Sequence, residues 1–297
     1  MLQPKLLKKG DTILIIGTAR AKAKEFIDPA IAILKNWGLK VELGANLFKK
    51  HYQFAGTDEQ RVQDLQWAID HKTAKAVLIA SGGYGTIRII DAVTFKKLRK
   101  YPKWFVGYSD ATVLHARLNK LRIECIHGTM AFQFTKDKEA TESIKKLLFG
   151  EKVHYKISKN KLNRVGKTEG EMVGGNLSLI YALSGSKDDF NTKNKILFIE
   201  DLDEQFYHLD RMMVQLKRSG KLKHLRGLIV GGMSDMKDRE TPFGKTANEI
   251  IFDAIKDYKY PVCFDFPTGH IKKNMALCMG KKIKLNVEKT KSELIYL

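Results

Sequence analysis

The chain has few cysteines and no long apolar segment, and each absence excludes a class of protein. Its 297 residues include three cysteines, Cys125, Cys263 and Cys278, which are far apart and show no C-x-x-C spacing. This pattern excludes a disulfide framework and a zinc ribbon, and it favours a reducing compartment. No apolar run approaches the roughly 20 residues that cross a bilayer. We therefore expect a cytoplasmic protein with no membrane partner.

The sequence also lacks the motifs that usually hold metals. It contains no H-E-x-x-H pair, and we find neither an internal repeat nor a low-complexity tract. Because metalloproteases of the H-E-x-x-H type hold zinc with such closely spaced ligands, we expect no metal. We also expect no cofactor.

Positive charge is abundant, at a formal +20 from 53 basic and 33 acidic residues. The lysines are scattered in pairs such as Lys8-Lys9 and Lys281-Lys282, without arginine interleaved with aromatic residues, so a nucleic-acid partner is not expected. A positive potential would also attract an anionic substrate. A non-enzymatic nucleic-acid-binding α/β protein stays open as the alternative that the charge alone would favour.

Length and hydrophobic patterning predict two domains. Apolar strand-like runs alternate with helical periods over residues 1–150, which is typical of a parallel sheet in an α/β domain. The polar, lysine-rich residues 151–167 are the predicted linker. Residues 168–297 form a second α/β domain whose last segments alternate as antiparallel strands do, whereas "EGEMVGG" (169–175) is expected as a turn before a helix.

Two strand ends in the first half carry unusual turns. "KAVLIAS" runs into "GGYG" (residues 82–85), and "WFVG" runs into Tyr108-Ser109-Asp110 directly before a helix. Ligands of parallel sheets bind at the carboxyl ends of strands. Ser109 is consistent with a helix N-cap and with a nucleophile on a strained elbow.

The second half supplies groups that could activate such a serine. An apolar strand-like run ends in "EDLDE" (residues 200–204), and another run ends near His270. A serine needs a base, and the base needs a carboxylate that fixes its tautomer. Taken alone, His270 is better explained as a structural histidine, and Glu200 as an acid near the start of a helix. The placement of Ser109, Glu200 and His270 at three strand ends favours the catalytic interpretation more than any one of them does.

Five motifs together resemble the LD-carboxypeptidase (muramoyltetrapeptide carboxypeptidase) family of serine peptidases. They are, in chain order, "SGGYGTIRIID", "FVGYSDATVLH", "GGNLSLI", "IEDLDEQFYHLDRMMVQLKRSG" and "FDFPTGHIKKNMALCMG". The resemblance implies a flavodoxin-like or Rossmann-like parallel-sheet domain, a mixed C-terminal domain with antiparallel strands, and an active site between them. It also implies a homodimer.

The resemblance assigns roles residue by residue. The nucleophile falls on Ser109, the carboxylate on Glu200 and the base on His270, with no metal. Gly83 and Asp110 would stabilise the oxyanion through their backbone N–H groups. Gly82 and Tyr84 of the same glycine loop would contact the substrate.

Three departures from the family pattern leave hydrolysis in place but put the substrate preference in doubt. Ser81 replaces an arginine that is common before "GGYG", Gly17-Thr18-Ala19 replaces an early "PS", and His127 to Met130 reads "HGTM" for a common "HGPM". The expected reaction is removal of terminal D-alanine from murein tetrapeptides during peptidoglycan recycling. An immunity-type hydrolase of peptidyl- or aminoacyl-nucleotide toxins remains the alternative within the family.

Overall fold

The structure is a computed structural model that describes residues 1–297 and divides into two compact units. The first unit contains Met1–Lys152 and Lys272–Cys278, and the second contains Val153–Ile271 and Met279–Leu297. The strands are β1 Thr12–Ile16, β2 Lys40–Leu43, β3 Ala76–Ile79, β4 Trp104–Gly107, β5 Cys125–His127, β6 His154–Ser158, β7 Gly166–Asn176, β8 Ile196–Leu202, β9 Gly227–Ser234, β10 Val262–Cys263, β11 Leu277–Met279, β12 Lys282–Val287 and β13 Lys291–Tyr296. The helices are α1 Asp28–Asn36, α2 Asp58–Asp70, α3 Thr86–Ile89, α4 Thr112–Lys120, α5 Lys138–Phe149, α6 Leu177–Ala182, α7 Phe206–Arg218 and α8 Ala247–Ile255.

A six-stranded sheet in the order β11-β5-β4-β3-β1-β2 organises the first unit. Strands β1 to β5 are parallel to one another. Every residue of β1, β3 and β4 is buried, as expected for parallel strands with both faces covered. The order 2-1-3-4-5 is that of flavodoxin-like sheets, so the predicted fold of this part is confirmed.

The second unit has a seven-stranded sheet in the order β10-β9-β8-β7-β12-β13-β6. Strands β7 to β10 pair in parallel. Strands β12, β13 and β6 continue the sheet from β7 in antiparallel pairs. This mixed sheet confirms the expected α/β class with antiparallel strands near the chain end.

Three local expectations differ from the structure. The expected linker 151–167 contains the edge strand β6, in which Tyr155 and Ile157 are buried between exposed residues. The many lysines in this segment made the alternation of buried and exposed residues hard to recognise in the sequence. Residues 169–176 belong to β7 rather than to a turn, because pairing with β8 and β12 overrides a glycine-rich, charged composition of low strand propensity. The apolar run before His270 forms a strand only over β10, which ends at Cys263. His270 therefore lies in a loop and not at a strand end.

The structure shows the state of the three cysteines and the length and polarity of the helices. All three cysteines are free and buried, and burial raises the pKa of the Cys263 thiol to about 12. A raised pKa keeps the Cys263 thiol in its protonated form, which is not nucleophilic. No helix combines the length and apolar character that crossing a membrane requires.

A buried arginine on α2 fastens two loops of the first unit. Arg61 is fully buried, and its Nη1 donates to the carbonyl of Thr18 after β1, at 2.8 Å, and to that of Gly85 after β3, at 3.0 Å. Its Nη2 contacts the carboxylate of Asp58. Burial lowers the pKa of Arg61, but its charge-assisted bonds hold the Thr18 and Gly85 carbonyls together.

We predict that Arg61→Met lowers the free energy of unfolding by about 2–4 kcal/mol, because it removes a buried charged donor from two carbonyls. Arg88→Met is the matched control, since Arg88 pairs with the same Asp58 at 2.7 Å but is exposed. That control should cost under about 1 kcal/mol. Urea unfolding measures both, and equal losses in the two variants would contradict the assigned role of Arg61.

Candidate functional site

The backbone at Ser109 is strained. Strand β4 ends at Gly107, and Ser109 follows with φ +60° at the start of a 3-10 turn, Ser109–Ala111. This left-handed conformation costs a non-glycine residue about 1–2 kcal/mol. Neither the 3-10 turn nor α4 has a side-chain capping hydrogen bond. Ser109 therefore does not act as a helix cap, and its strained, half-buried position is typical of functional residues.

The glycine loop after β3 lies against this serine. Because β3 and β4 are adjacent and parallel, their carboxyl ends meet at one edge of the sheet. A Cβ atom placed on Gly82 would lie 3.1 Å from Ser109 Cβ and 3.2 Å from Ser109 Oγ. Gly82 thus allows the loop backbone to approach the hydroxyl closely. Gly83, at φ +104°, and Tyr84 follow as exposed residues.

Asp110 joins the serine turn to the glycine loop. Its buried Oδ2 accepts a 2.8 Å hydrogen bond from the N–H of Thr86, the first residue of α3. Burial raises the pKa of Asp110, although the Thr86 bond opposes this. The Asp110 N–H belongs to the first turn of a helical segment, where such groups have no acceptor within the helix. This bond therefore fixes the glycine loop relative to the turn that carries Ser109.

The departures noted in the sequence all border this edge. Thr18 is buried and its hydroxyl contacts that of Thr86 at 2.8 Å. The Ser81 hydroxyl donates to the carbonyl of Arg20 at 2.6 Å. Thr129 is buried, and the methyl carbon of Met130 would lie 3.1 Å from a Cβ on Gly82. These positions follow β1, β3 and β5, so they lie at the same edge of the sheet as Ser109.

In the second unit, Glu200 on β8 holds His270. The Glu200 side chain is fully buried, and its Oε2 accepts hydrogen bonds from His270 Nδ1, at 2.7 Å, and from the His270 backbone N–H, at 3.0 Å. Because a carboxylate only accepts, Nδ1 carries the proton. The other ring nitrogen, Nε2, is then the basic one, which is the tautomer that a general base requires.

The loop that carries His270 is fixed on both sides of the ring. The Ser234 hydroxyl at the end of β9 donates to the His270 carbonyl at 2.6 Å. Gly269 has φ +113°, and a Cβ there would lie 2.7 Å from Glu200 Oε2. Only glycine therefore lets the carboxylate reach the next residue. Position, tautomer and ring orientation of His270 all follow from Glu200 and its neighbours.

The other acids of the segment 200–204 bind elsewhere. Asp201 accepts bonds from the Asn176 amide, at 2.7 Å, and from the N–H and hydroxyl of Ser178, each at 2.8 Å. Burial, followed by the charge of Glu200, raises the pKa of Asp201 to about 6. Glu204 contacts the His208 ring one helical turn away. Asp203 pairs with Lys237. Of the four carboxylates in the segment, Glu200 is the one bonded to His270.

A cavity of about 520 Å³ lies within the second unit close to the histidine loop. Its walls include Gly231, Gly232 and Ile271, which directly follows His270, together with Met233 and Phe266. Such a mostly apolar wall beside polar groups is usual for a ligand site. No group of three or more histidine, cysteine or acidic side chains is placed to hold a metal ion.

The structure brings together part of the predicted set in each unit. Ser109, Gly82 and Asp110 lie in the first unit, and Glu200 and His270 lie in the second. The sequence analysis did not identify four supporting residues, Arg61, Thr86, Asn176 and Ser178. A charged residue on the buried face of α2 was the available signal for Arg61. The other three are small polar residues that no local pattern distinguishes.

A strained serine on a strand-to-helix turn and a histidine held by a carboxylate are the parts that serine hydrolases use. The family descriptions "LD-carboxypeptidase N-terminal domain" and "LD-carboxypeptidase C-terminal domain" match residues 13–128 and 169–285, respectively. The chain is 36% identical over 296 residues to a "Probable murein peptide carboxypeptidase" of Bacillus subtilis, covering 97% of this chain and 93% of that one. The chain therefore belongs to the LD-carboxypeptidase family of serine peptidases.

Other similar proteins are consistent with this membership. A murein tetrapeptide carboxypeptidase of Pseudomonas aeruginosa is 26% identical, with 91% of each chain covered. The crystal structure of muramoyltetrapeptide carboxypeptidase from Oxalobacter formigenes has a TM-score of 0.88 at 28% identity and covers 96% of this chain and 98% of its own. The microcin C7 self-immunity protein MccF also has a TM-score of 0.88, covering 99% and 98%, at 20% identity. The last likeness shows a common fold.

We predict a pH-dependent stability contribution from Asp201. Its pKa of about 6 exceeds the ordinary 3.8, so the contribution is full below pH 4 and is lost as the pH rises through 6. The unfolding free-energy difference between the native protein and Asp201→Asn should be about 1 kcal/mol larger at pH 5 than at pH 7. Urea unfolding at the two pH values measures it, and a difference independent of pH would contradict the raised pKa.

Proposed function

We propose that this protein is a serine LD-carboxypeptidase that removes the terminal D-alanine from murein tetrapeptides. The bond cut joins the L-centre of a diamino acid to that D-alanine. The observation that carries the proposal is the bond from His270 Nδ1 to Glu200, at 2.7 Å, because it creates a base in the required tautomer. Family membership and the strained turn at Ser109 support the same reaction class.

In the proposed reaction, Ser109 Oγ attacks the carbonyl carbon of the diamino acid while His270 Nε2 takes the hydroxyl proton. The C–N bond then breaks, and the same proton passes to the leaving amine of D-alanine. Water, deprotonated by His270, hydrolyses the acyl-enzyme and restores Ser109. Glu200 keeps its hydrogen bond to Nδ1 and stabilises the imidazolium.

Backbone donors would stabilise the tetrahedral intermediate. We assign the oxyanion contacts to the N–H groups of Gly83 and Asp110, which flank the close approach of Gly82 to Ser109. Each such donor lowers the barrier by about 3–4 kcal/mol. The exposed Tyr84 and the backbone of Gly82 are the proposed substrate contacts in the same loop.

The charge and the cysteines of the chain also agree with this substrate and with a cytoplasmic location. Murein tetrapeptides carry several carboxylates, and a formal charge of +20 favours their approach. Free, buried cysteines are compatible with work in a reducing cytoplasm, where peptidoglycan fragments are recycled. As the family resemblance implies, we propose that the protein acts as a homodimer.

The immunity-type hydrolase remains the second candidate only through its common fold. MccF is described in complex with aspartyl sulfamoyl adenosine, but at 20% identity its ligand does not transfer to this chain. The relatives of higher identity include a murein peptide carboxypeptidase. We therefore favour the tetrapeptide, and an aminoacyl-nucleotide analogue serves as the competing substrate in the assay.

We predict release of D-alanine from L-Ala-γ-D-Glu-meso-diaminopimelyl-D-Ala and much slower cleavage of the matching L-alanine peptide. A fixed set of backbone donors positions only one stereochemistry for attack. Ser109→Ala should abolish turnover with an unchanged circular dichroism spectrum, and a chelator should have no effect. Equal rates on the two diastereomers, or faster cleavage of the aminoacyl-nucleotide analogue, would contradict the proposed substrate.

We predict that Glu200→Gln keeps the fold but lowers kcat by up to about 10⁴, since an amide no longer imposes the correct histidine tautomer. Glu204→Gln is the matched control, because Glu204 contacts His208 and the Ser178 hydroxyl rather than His270. The control should retain near-native kcat on the tetrapeptide. If Glu204→Gln were the inactive variant and Glu200→Gln near normal, the triad assignment would be wrong.

A further inference from the structure

Arg20 occupies the place in the first sheet where ligands of such folds bind. In the order 2-1-3-4-5 the direction of the chain across the sheet reverses between β1 and β3, and the crevice at this point is the usual ligand site. Arg20 lies in the loop that follows β1, and the glycine loop follows β3. Because β1 and β3 are adjacent and parallel, these two loops lie side by side at the switch point of the sheet.

The backbone of Arg20 is fastened to the glycine loop. Its N–H donates to the Gly82 carbonyl at 3.2 Å. Its carbonyl accepts the Ser81 hydroxyl at 2.6 Å. Gly82 in turn touches Ser109. The position of the arginine is therefore coupled to the loop that contacts the nucleophile, through two consecutive residues.

The side chain of Arg20 extends over Gly83. A Cβ atom on Gly83 would lie 2.6 Å from Arg20 Cδ and 2.8 Å from its Nε. The residue is exposed, and no carboxylate lies within salt-bridge distance of its guanidinium. Asp58, an acid of the neighbouring α2, pairs instead with Arg61 and Arg88. Arg20 thus presents an uncompensated planar cation beside a proposed oxyanion donor.

We propose that Arg20 binds the C-terminal carboxylate of the substrate. This assignment rests on the proposed function, because it takes the scissile carbonyl to lie at Ser109 and Gly83. The terminal carboxylate carbon is one residue beyond that carbonyl, a span of about 3.5 Å, which suits a guanidinium that begins alongside Gly83. Arginine binds carboxylates through two parallel hydrogen bonds. Arg20 would therefore select chains that end at the residue to be removed.

Lys22 provides the matched control for this proposal. It lies two residues further along the same loop, and its ammonium is 4.5 Å from the centre of the Phe132 ring. Lys22→Gln removes one positive charge from the same neighbourhood without removing the guanidinium. A general loss of electrostatic attraction affects both variants equally, whereas a specific carboxylate contact affects only Arg20→Gln.

The test compares the tetrapeptide ending in free D-alanine with the same peptide ending in D-alaninamide. In the native protein we expect kcat/KM to be about 10- to 100-fold higher for the free acid, as for a hydrogen bond to a charged group. Arg20→Gln should lose this preference, mainly through KM, and be nearly unchanged on the amide. Arg20→Lys should retain part of the preference, and Lys22→Gln all of it. Equal losses on both peptides in Arg20→Gln would overturn the proposal.

A binding measurement separates this inference from the reaction itself. Calorimetric titration of Ser109→Ala and of Ser109→Ala/Arg20→Gln with both peptides requires no turnover. Stronger binding of the acid that disappears in the double variant supports Arg20 even if the native protein releases no D-alanine, in which case the proposed function alone fails. Absence of acid selectivity in Ser109→Ala, with turnover intact in the native protein, overturns the role of Arg20 alone.

Discussion

Neighbouring parallel strands end at the same edge of their sheet, and the chemistry of both units depends on this constraint. In the first unit, the ends of β3 and β4 bring Gly82 against Ser109. In the second, the end of β8 supplies Glu200, and the end of the adjacent β9 supplies the Ser234 hydroxyl that holds the His270 loop. Backbone pairing fixes these ends before any side chain contributes, so polar groups meet without long flexible loops.

Each unit retains locally unfavourable features at these edges. Ser109 has a left-handed backbone, and Asp201 is an acid buried beside Glu200. The surrounding structure compensates, since Asp110 and Arg61 fasten the loops near Ser109 and three donors satisfy Asp201. Strain and buried charge persist in a marginally stable protein only where neighbouring contacts over-determine the conformation. Strain and buried charge are concentrated at these two strand ends, and such features are common at functional sites.

Basic groups in the first unit have distinct roles that the formal charge does not reveal. Arg61 is buried and satisfies loop carbonyls, Arg88 is exposed and paired, and Arg20 is exposed without a carboxylate partner. The formal net charge of +20 counts each of these arginines as one positive charge. Their surroundings decide whether an arginine stabilises the fold or remains available for a ligand, because a paired guanidinium has already used its directional donors.

The sequence by itself determined the α/β class and the strand-to-helix turn at Ser109, because hydrophobic period and turn chemistry are local. It also indicated Glu200 and His270 through the family resemblance. Only the tertiary structure decided that Glu200, rather than Asp201 or Glu204, bonds to His270, since the partners are 70 residues apart in the chain. It likewise decided that residues 169–176 form a strand and that Arg20 lies over Gly83. Such outcomes depend on pairing register and loop packing, which no short stretch of sequence encodes.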